Sequence, residues 1–309
     1  MIDITRSPAW TSATPRLSVL IPFLRDNPGE LLVLLDREAA ILAGDVEVVI
    51  LDDGTNDEPL TFALKTLVTG LRLPVQLMTL SQNEGRSRGR NRLSGASRGD
   101  YLLFLDSDMR PDTDQFLRNW IALAKDRQPA VVFGGFSLLQ APRDSRFAVH
   151  RSMAARSECV AADERSEAPE KYVYTSNLLV RRDVFDAEGF DPAFTGWGWE
   201  DVEWAMRVSR TYFILHIDNP ATHMGLDTVE ALAGKYEQSA ANFARVVARH
   251  PDIVAGYPSF RAARILKTLP GLPVLRFLLR KIALSAPLPV PARSFALRLY
   301  RAALYADVV

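Results

Sequence analysis

Four short apolar segments alternate with helical segments in the first third of the chain, and this alternation restricts the fold more than any other feature. A run that is apolar on nearly every residue predicts a strand covered on both faces. Strands separated by helices pair in parallel through right-handed crossovers, which predicts an α/β sheet flanked by helices. The predicted strands are 17–23, 46–51, 75–80 and 101–105, and the predicted helices between them are 28–43, 60–71 and 85–97.

Two carboxylates follow the fourth predicted strand directly, in the sequence Asp106-Ser107-Asp108. Ligands bind beyond the carboxyl ends of parallel strands, so acid at this position indicates a site. Period-two alternation would point Asp106 and Asp108 the same way, and the pair could then bind a hard divalent cation that neutralises phosphate oxygens. A turn after a strand also often carries Asp, and that alternative stays open for the pair alone.

Composition narrows the class of protein without identifying a function. The 309-residue chain has 37 basic and 37 acidic residues, so no global charge favours nucleic acid as a partner. Cys159 is the only cysteine, which fits a reducing compartment. Residues 1–16 lack the apolar core of a signal peptide, and no apolar stretch is long enough to span a bilayer. We therefore expect a cytoplasmic protein.

The sequence Asp52-Asp53-Gly54-Thr55 after the second strand allows a competing interpretation as a phosphatase. Haloacid-dehalogenase-type phosphatases carry Asp-x-Asp-Gly-Thr after their first strand, and the leading Asp is the nucleophile. Leu51 holds that leading position here and cannot attack phosphorus. The phosphatase is therefore the weaker alternative.

A set of motifs along the chain occurs in an order that resembles family 2 glycosyltransferases of the GT-A fold. The resemblance covers about residues 16–225, and it rests on the ordered set because each motif alone is weak. It implies a Rossmann-like, mixed and mainly parallel sheet with a helical extension at the C-terminal end. The motifs are Ser-Val-Leu-Ile-Pro at 18–22, Val-Ile-Leu-Asp-Asp-Gly at 49–54, Asn-Glu-Gly at 83–85 with Arg-Asn at 90–91, Leu-Phe-Leu-Asp-Ser-Asp at 103–108, Asn-Leu-Leu-Val-Arg-Arg at 177–182, Gly-Phe-Asp at 189–191 and Gly-Trp-Gly-Trp-Glu-Asp at 196–201.

By this resemblance the chain divides into an N-terminal extension (1–15), a nucleotide-sugar-binding half (16–110), an acceptor-binding half (111–249) and a basic amphipathic helical extension (250–309). The family implies an inverting enzyme that moves a hexose, N-acetylhexosamine or hexuronic acid. The donor would be a UDP-sugar, and the acceptor would be a hydroxyl of a saccharide or glycolipid. Nothing in the sequence identifies the sugar.

The resemblance also implies a donor site at the carboxyl ends of the strands. It makes Asp108 a ligand for Mn²⁺ or Mg²⁺ and places Asp106 nearer the donor ribose or sugar. Asp52 and Asp53 would face the nucleotide, where a carboxylate can accept from a uracil imide or a ribose hydroxyl. The arginines of the next helix could contact the diphosphate, although helical arginines are often only solvated. The other predicted donor-binding residues are Pro22, Arg86, Arg90 and Ser107.

Glu200-Asp201 follows a loop rich in glycine and tryptophan and is the second predicted acidic site. Indole faces pack against apolar sugar faces, so Trp197 and Trp199 are predicted to bind sugar. By resemblance Asp201 is the general base for the acceptor hydroxyl, Glu200 binds acceptor or donor sugar, and Asn177 lies on the acceptor side. Acidic residues in a first helical turn are also favoured by the helix macrodipole alone, which is the structural alternative.

His223 is the second predicted metal ligand. An isolated histidine near a strand end usually serves only as a hydrogen-bonding residue, but related transferases take a metal-ligating histidine from this region. His216 is the alternative, although it lies within the strand pattern of residues 212–217 and is expected to be packed. A cation bound by carboxylates, a histidine and a diphosphate suits Mn²⁺ better than Ca²⁺, with Mg²⁺ as a further option.

Beyond His223 the family pattern fades and the chain becomes basic. A helix is predicted over 229–249, and the only acids of 250–309 are Asp252 and Asp307. A basic amphipathic tail could lie on an anionic membrane at the inner face of the cell membrane, which would suit a glycolipid acceptor. The alternative is a helical extension folded onto the domain, or a dimer contact. The basic residues of the tail are Arg261, Arg264, Lys267, Arg276, Arg280, Lys281, Arg293, Arg298 and Arg301.

Two other interpretations compete with the transferase. A glycosidase also uses two carboxylates, but it does not explain the nucleotide-side motifs. A non-catalytic sugar-nucleotide or carbohydrate-binding module is the second, and intact Asp108, Asp201 and His223 argue against it. In the transferase interpretation, the polar segment 140–171 is predicted to be a mobile linker that orders over the bound donor.

Overall fold

The structure, a computed structural model, describes residues 2–40, 42 and 44–309. Short 3₁₀ turns at 8–12, 145–147, 169–172 and 175–177 connect some of its elements. The strands are β1 (Ile2–Arg6), β2 (Leu17–Phe23), β3 (Val46–Asp52), β4 (Val75–Leu80), β5 (Tyr101–Phe104), β6 (Met109–Pro111), β7 (Val131–Phe133), β8 (Phe136–Ser137), β9 (Leu178–Arg181), β10 (Ile214–His216) and β11 (Ala221–His223). The helices are α1 (Gly29–Ala39), α2 (Glu58–Gly70), α3 (Arg86–Ala96), α4 (Phe116–Asp126), α5 (Ala148–Ser157), α6 (Ala162–Ser166), α7 (Arg182–Ala187), α8 (Glu200–Val208), α9 (Val229–Arg249), α10 (Pro251–Val254), α11 (Pro258–Lys267), α12 (Leu272–Leu284) and α13 (Val290–Tyr305).

Most strands form one sheet, in the order β1-β4-β3-β2-β5-β9-β7-β10. The neighbours from β4 to β5 are all parallel, whereas β1 pairs antiparallel with β4, and β9 pairs antiparallel with β5 and β7. This topology confirms the predicted mixed, mainly parallel sheet flanked by helices. Because β9, β7 and β10 extend the same sheet, the division into two halves at residue 110 stays a prediction.

Alternate residues of the central strands lie in different cores on the two faces of the sheet. In β3, Val48 and Ile50 pack in one buried cluster together with residues of α1, α2 and α4. Val49 and Leu51 pack in another cluster with residues of α3, α7 and α8. Burial on both faces explains why the strands are apolar on nearly every residue.

The predicted elements occur in the structure with small shifts at their ends. Helix α9 begins and ends at the predicted residues. Helix α1 ends at Ala39, and its predicted continuation over Ile41 and Ala43 lies outside the described residues. Strand β5 ends at Phe104, one residue before its predicted end, and the acidic pair that follows lies beyond the strand. Strand alternation therefore does not determine the orientation of these two carboxylates, and the expectation that they point the same way stays a prediction.

A second, small sheet has the order β6-β11-β8. Strand β11 is antiparallel to β6, with His223 opposite Met109 and Thr222 opposite Arg110. Met109 directly follows Asp108 in the chain. The pairing therefore brings His223 to the end of the acidic turn, although 115 positions separate His223 from Asp108.

The helices beyond β11 form a unit that packs onto the rest of the molecule. Helix α13 contacts α5, α9, α11 and α12, and Leu297 of α13 shares a buried cluster with Tyr236 of α9 and Leu279 of α12. The predicted helical extension is confirmed, and it is folded onto the domain. Within the described residues, no helix combines the length and the apolar character needed to cross a membrane.

The segment 140–171 is not an extended linker. It contains α5 and α6, and Val149 and Met153 of α5 are buried in the cluster shared with α9, α12 and α13. The side chain of Arg165 in α6 is also buried. This packing differs from the predicted mobile linker, because the charged residues of the segment alternate with apolar ones at helical spacing.

Candidate active site

Polar residues follow β2, β3 and β5 at the edge of the sheet where these parallel strands end. Asp52 is the last residue of β3, and the acidic turn with Asp106 and Asp108 follows β5. Asp26 follows β2 by three positions. Burial raises the pKa of Asp26, the charge of Asp108 raises it further, and a hydrogen bond with Ser107 opposes the shift. The carboxylates at this edge therefore share one polar site.

Asp26 was not among the predicted site residues. The available signal was the polar sequence Arg25-Asp26-Asn27, which follows the first strand just as the two acidic motifs follow theirs. Arg25 has a φ of 65°, which belongs to the left-handed backbone region. This unusual conformation is part of the turn that carries Asp26 and is not visible in a sequence pattern.

Arg90 joins the acidic turn to the first turn of α8. Its Nη2 donates to Asp106 Oδ1 at 2.9 Å, and its Nη1 donates to Glu200 Oε1 at 3.2 Å. The Arg90 and Glu200 side chains are only 2% and 4% exposed. The predicted contact between Arg90 and the donor diphosphate is therefore corrected: both amino groups are committed to carboxylates, because an uncompensated buried charge would be costly.

The Arg90 pairing controls the ionisation of Asp106. Burial alone would raise the Asp106 pKa, but the charges of Arg90 and Arg86 and a hydrogen bond from Ser176 outweigh burial and lower it. Ser176 Oγ donates to Asp106 Oδ2 at 2.7 Å. Both Asp106 oxygens thus have partners, and this carboxylate remains ionised at neutral pH.

Asp108 has a different partner, the ring of His223. Nε2 of His223 lies 3.2 Å from Oδ2 of Asp108. Burial lowers the His223 pKa, but the hydrogen bond and the charge of Asp108 outweigh it and raise the pKa above its ordinary value. The structure therefore brings together the two side chains that were predicted as metal ligands.

Asp108 is packed closely against Gly225, and further ligand groups lie near its partner His223. A Cβ atom built on Gly225 would overlap Asp108 Oδ2 and lie 2.9 Å from Asp108 Cγ, so only glycine allows this approach. Ligand atoms of His150, Glu158 and His223 all lie within 4.8 Å of one another. A carboxylate and imidazole groups at this spacing suit Mn²⁺ or Mg²⁺ with oxygen ligands from a diphosphate.

Of the two additional residues in this cluster, Glu158 is the better candidate ligand. Nδ1 of His150 accepts the backbone N–H of Asp227 at 2.7 Å, so the neutral ring carries its proton on Nε2. To bind a metal through Nε2, His150 would have to give up this hydrogen bond, whereas His223 would exchange only the Nε2 proton that it shares with Asp108 for the metal. Burial raises the Glu158 pKa and the nearby His223 lowers it, as expected for a carboxylate that faces the site. Both residues come from the segment 140–171, where the sequence offered no metal-ligand spacing.

Asp201 is the carboxylate of the Glu200-Asp201 pair that Arg90 does not bind. Burial and the charge of Glu200 raise its pKa to about 7, although the charge of Arg90 opposes the shift. Oδ1 of Asp201 accepts only the N–H of the adjacent Val202 at 2.8 Å among the described residues. A carboxyl group with a pKa near 7 is suited to take up a proton at neutral pH.

The glycine-tryptophan loop places Asp201 through an unusual backbone. Gly198 has a φ of 87° and Trp199 has a φ of 76°, directly before the first residue of α8. Asn242 of α9 donates to the carbonyls of Thr195 and Gly198, both at 2.9 Å. Left-handed backbone at a non-glycine residue is costly, so the surrounding contacts must maintain it.

Sequence comparison identifies the family. The profile described as Glycosyl transferase family 2 matches residues 18–189. The chain belongs to this family. Its fold is that of GT-A glycosyltransferases, and the helical extension lies outside the matched range.

Two curated relatives are similar in sequence to most of the chain. Validoxylamine A glucosyltransferases of Streptomyces hygroscopicus are each 25% identical: that of subspecies limoneus over 281 residues, and that of subspecies jinggangensis (strain 5008) over 280. The alignments cover 80% of this chain but only 59% and 64% of those proteins, so the chain spans less than two thirds of their length.

Among solved structures, the mannosyltransferase PcManGT from Pyrobaculum calidifontis in complex with GDP-Man and Mn²⁺ has a TM-score of 0.57 at 14% identity. That comparison covers 96% of this chain and 88% of the other. S. aureus TarS 1–349 in complex with UDP-GlcNAc has a TM-score of 0.52 at 15% identity, with 95% and 90% covered. At these identities the comparisons establish the fold of this family 2 glycosyltransferase.

The other predicted donor residues of this family 2 glycosyltransferase lie at or near the same edge. Asp52 Oδ1 accepts the N–H of Thr55 at 2.9 Å and closes a turn. Both Asp53 oxygens accept backbone N–H groups, from Glu84 at 2.7 Å and from Gly85 at 3.0 Å. These contacts fix the loops that follow β3 and β4. The proposed nucleotide contacts of both carboxylates remain predictions.

Pro22 belongs to β2 and Arg86 to α3. Pro22 is the penultimate residue of β2 and pairs with Leu51. Arg86 begins α3, its side chain is 45% exposed, and its Nη1 is 3.8 Å from Glu200 Oε1. In contrast to Arg90, Arg86 therefore remains accessible, and its predicted contact with a diphosphate stays a prediction.

One predicted contact is corrected by the structure, and one expected packing is confirmed. Asn177 is fully buried, and its amide donates to the carbonyls of Gly135 and Asn219, each at 3.0 Å. It therefore supports the backbone after β7 and does not present its amide to a sugar. His216, the alternative metal ligand, is packed as expected: Nδ1 accepts from Arg165 at 3.2 Å, and Nε2 lies 3.0 Å from the carbonyl of Pro169.

The two predicted sugar-binding tryptophans differ in their surroundings. Trp199 donates its indole N–H to the Tyr305 hydroxyl at 2.9 Å and packs against Phe243 with ring centroids 4.7 Å apart. It therefore holds the loop against the helical extension. Trp197 is partly exposed, 6.0 Å from the Tyr236 ring, and its sugar contact remains a prediction.

Proposed function

We propose that this family 2 glycosyltransferase moves a hexosyl, N-acetylhexosaminyl or hexuronosyl group from a UDP-sugar to a hydroxyl of a saccharide or glycolipid, with inversion at the anomeric carbon. The observation that carries the proposal is Asp201, a carboxyl group with a pKa of about 7. Arg90 connects its neighbour Glu200 to Asp106 of the donor edge. A candidate base and a candidate diphosphate site thus belong to one polar cleft.

The donor site would be built on the acidic turn. Asp108 and His223, with Glu158 nearby, would hold the cation, and Arg86 would face the diphosphate. A bound Mn²⁺ or Mg²⁺ would supply Lewis-acid stabilisation of the charge that develops on the leaving diphosphate. Asp106, held ionised by Arg90 and Ser176, would accept hydrogen bonds from hydroxyl groups of the donor.

On the acceptor side, Asp201 would remove the proton of the acceptor hydroxyl while that oxygen attacks the anomeric carbon. The bond from the acceptor oxygen to the sugar forms as the bond from the sugar to the diphosphate breaks. A single displacement inverts the anomeric configuration, so an α-linked donor would yield a β-linked product. Glu200 is bound by Arg90 and would orient a sugar hydroxyl beside the base.

A nucleotide-release assay tests the proposal. The protein is incubated with a panel of UDP-sugars and with GDP-mannose, in Mn²⁺, in Mg²⁺ and in EDTA. We expect metal-dependent UDP release from one donor, and an Asp201→Asn variant that is 10²- to 10⁴-fold slower but still binds UDP, since only the proton acceptor is removed. The matched control is Asp252→Asn, an exposed aspartate outside the cleft.

Three outcomes contradict the proposal. Wild-type protein that binds nucleotide sugar but never releases nucleotide would indicate a binding module. Preferred use of GDP-mannose would overturn the UDP assignment. Retained anomeric configuration, measured by NMR of the product, would exclude the single displacement.

A further inference from the structure

Helix α12 is apolar on two opposite sides. Its inward side includes the buried Leu279 and Ala283, which pack with α9 and α13. On its outward side Val274, Phe277 and Ile282 are 64%, 60% and 40% exposed. With the exposed Leu278, these positions have the spacing of one helical stripe, i, i+3, i+4 and i+8.

The exposed stripe lies in the part of the sequence where exposed apolar residues are concentrated. A soluble surface usually carries such side chains singly, so a group of them marks an interaction site. The neighbouring helices and loops add further large apolar side chains, each at least 38% exposed. These are Ile265, Leu269, Leu288 and Phe295.

The sequence around this stripe has charge of one sign. Among the described residues, the acidic contact of its basic residues from another part of the chain is that of Arg280, whose Nε lies 3.8 Å from Oε1 of Glu237 on α9. Between Asp252 and Asp307 the sequence contains basic residues and no acidic residue. Lys281 lies within the stripe, with its Nζ 5.5 Å from the centre of the Phe277 ring. Lys267, Arg264 and Arg280 are also exposed. An apolar stripe beside basic side chains is typical of a helix that lies in a membrane interface.

We propose that α12, together with the exposed apolar residues of α11 and α13, docks this family 2 glycosyltransferase onto an anionic lipid surface. Phe277 and its apolar neighbours would enter the boundary between head groups and acyl chains. Lys281 and Arg264 would contact lipid phosphates. The proposal concerns a surface outside the candidate active site and does not depend on the proposed reaction.

A second copy of the chain is the main competing occupant of the stripe. A two-fold dimer through this face would place each basic rim beside its own copy. Like charges at close range oppose such a contact, and no acidic residue between 253 and 306 is present to compensate them. Charge complementarity therefore favours anionic lipid over a second copy.

Direct contacts connect this face to the acceptor side. Helix α12 packs along α13, and Tyr305 at the end of α13 accepts the hydrogen bond from Trp199 in the glycine-tryptophan loop. The lipid-binding surface and the loop that precedes Asp201 thus belong to one packed unit. A membrane-docked enzyme would hold its acceptor side in a fixed relation to the bilayer.

Vesicle co-sedimentation of the full chain tests the proposal. Vesicles of phosphatidylcholine alone are compared with vesicles containing 30% phosphatidylglycerol, at low and at high salt. We expect binding only to the anionic vesicles, weakened by salt, and at least about tenfold weaker in Phe277→Ser/Leu278→Ser. The control is Phe62→Ser, which removes a phenylalanine that is 74% exposed on α2.

A second pair of variants tests the charges. Lys281→Gln/Arg264→Gln should weaken binding to anionic vesicles, whereas Lys65→Gln on α2 should not. Equal binding to both vesicle types, or no binding at low salt, would overturn the proposal. So would a concentration-dependent dimer, measured by analytical ultracentrifugation, that Phe277→Ser/Leu278→Ser abolishes. Circular dichroism of each variant confirms that it is folded.

Discussion

The two acidic pairs of the cleft share Arg90 but are built differently. In each pair Arg90 binds the first carboxylate, Asp106 or Glu200, and the second has no arginine partner among the residues that the structure describes. Asp108 lies against His223, whereas Asp201 has a pKa raised to about 7 by burial and by the charge of Glu200. One free carboxylate is thus suited to a cation and the other to a proton.

The difference comes from the elements that carry the pairs. The first pair follows β5 in a turn whose position is determined by the parallel sheet and by the pairing of β6 with β11. The second pair begins α8 after the left-handed backbone of Trp199, and its position depends on contacts from α9 and α13. The position of the donor-side pair therefore depends on the sheet. The position of the acceptor-side pair depends on α9 and on the helical extension.

The largest effect is expected from removing the residue that the pairs share. Arg90→Met removes the hydrogen-bonded cation of Asp106 and of the buried Glu200 and leaves only Arg86, 3.8 Å from Glu200. Breaking a buried pair in this way costs about 3–5 kcal/mol. We expect a corresponding fall in the free energy of unfolding, measured with urea. The control is Arg92→Met: Arg92 pairs with Glu84, its side chain is 34% exposed, and the loss should stay below about 1 kcal/mol.

Additional substitutions show which pair depends more on Arg90. In the Arg90→Met background, Asp106→Asn and Glu200→Gln should each restore part of the lost stability. Because Glu200 is more buried than Asp106, we expect the larger recovery from Glu200→Gln. No recovery from either would contradict the assignment of Arg90 as their shared counter-charge.

The pH dependence of transfer should follow the ionisation of Asp201 in the second pair. A base with a pKa of about 7 is protonated below that pH, so kcat/KM should fall about tenfold per pH unit below 7. Glu200→Gln removes a charge that raises this pKa, and the acid limb should move to lower pH. An acid limb that stays near pH 7 in Glu200→Gln would show that another group controls it.

The contribution of Asp201 to the free energy of unfolding should fall as pH rises from about 4 to 7, whereas kcat/KM should rise over the same range. The Asp201 pKa is raised above its unfolded value, so the folded state binds the extra proton between about pH 4 and 7. The contribution of this group to the free energy of unfolding is therefore lost as pH rises through that window. Asp201→Asn should unfold at a higher urea concentration than wild type at pH 8.

The sequence predicted more of the donor edge than of the acceptor side. The apolar strands and the acidic residues after them are local patterns, and helix α9 was predicted at both ends. Glu158 reaches the site only through the packing of α5, which no local pattern encodes. Asn177 matched a motif, but its amide is used by two backbone carbonyls, and such a commitment can be seen only in the folded chain.

The proposed metal-binding role of Asp108 can be tested by substituting Gly225, which lies against its carboxylate. Gly225→Ala would place a methyl group against the Asp108 carboxylate and push it away from His223. We expect Mn²⁺ affinity in the presence of UDP to fall about tenfold, measured by calorimetry, because small changes around ligands weaken metal sites. Gly234→Ala on α9 meets no atom within 4 Å and should bind Mn²⁺ as wild type does. Equal affinity in both variants would exclude Asp108 as a ligand in the observed position.

The smallest effect is expected at the contact between the helical extension and the glycine-tryptophan loop. Tyr305→Phe removes the acceptor of the Trp199 indole N–H and a partner of Ser239, which should cost about 1–2 kcal/mol of unfolding free energy. Because the loop precedes Asp201, we also expect a higher KM for the acceptor and an unchanged KM for the donor. Tyr300→Phe removes a hydroxyl from the same helix that contacts only Glu237 among the described residues, and it should leave both KM values unchanged. If both variants raise the acceptor KM equally, the extension acts through general stability and does not position the loop through Trp199.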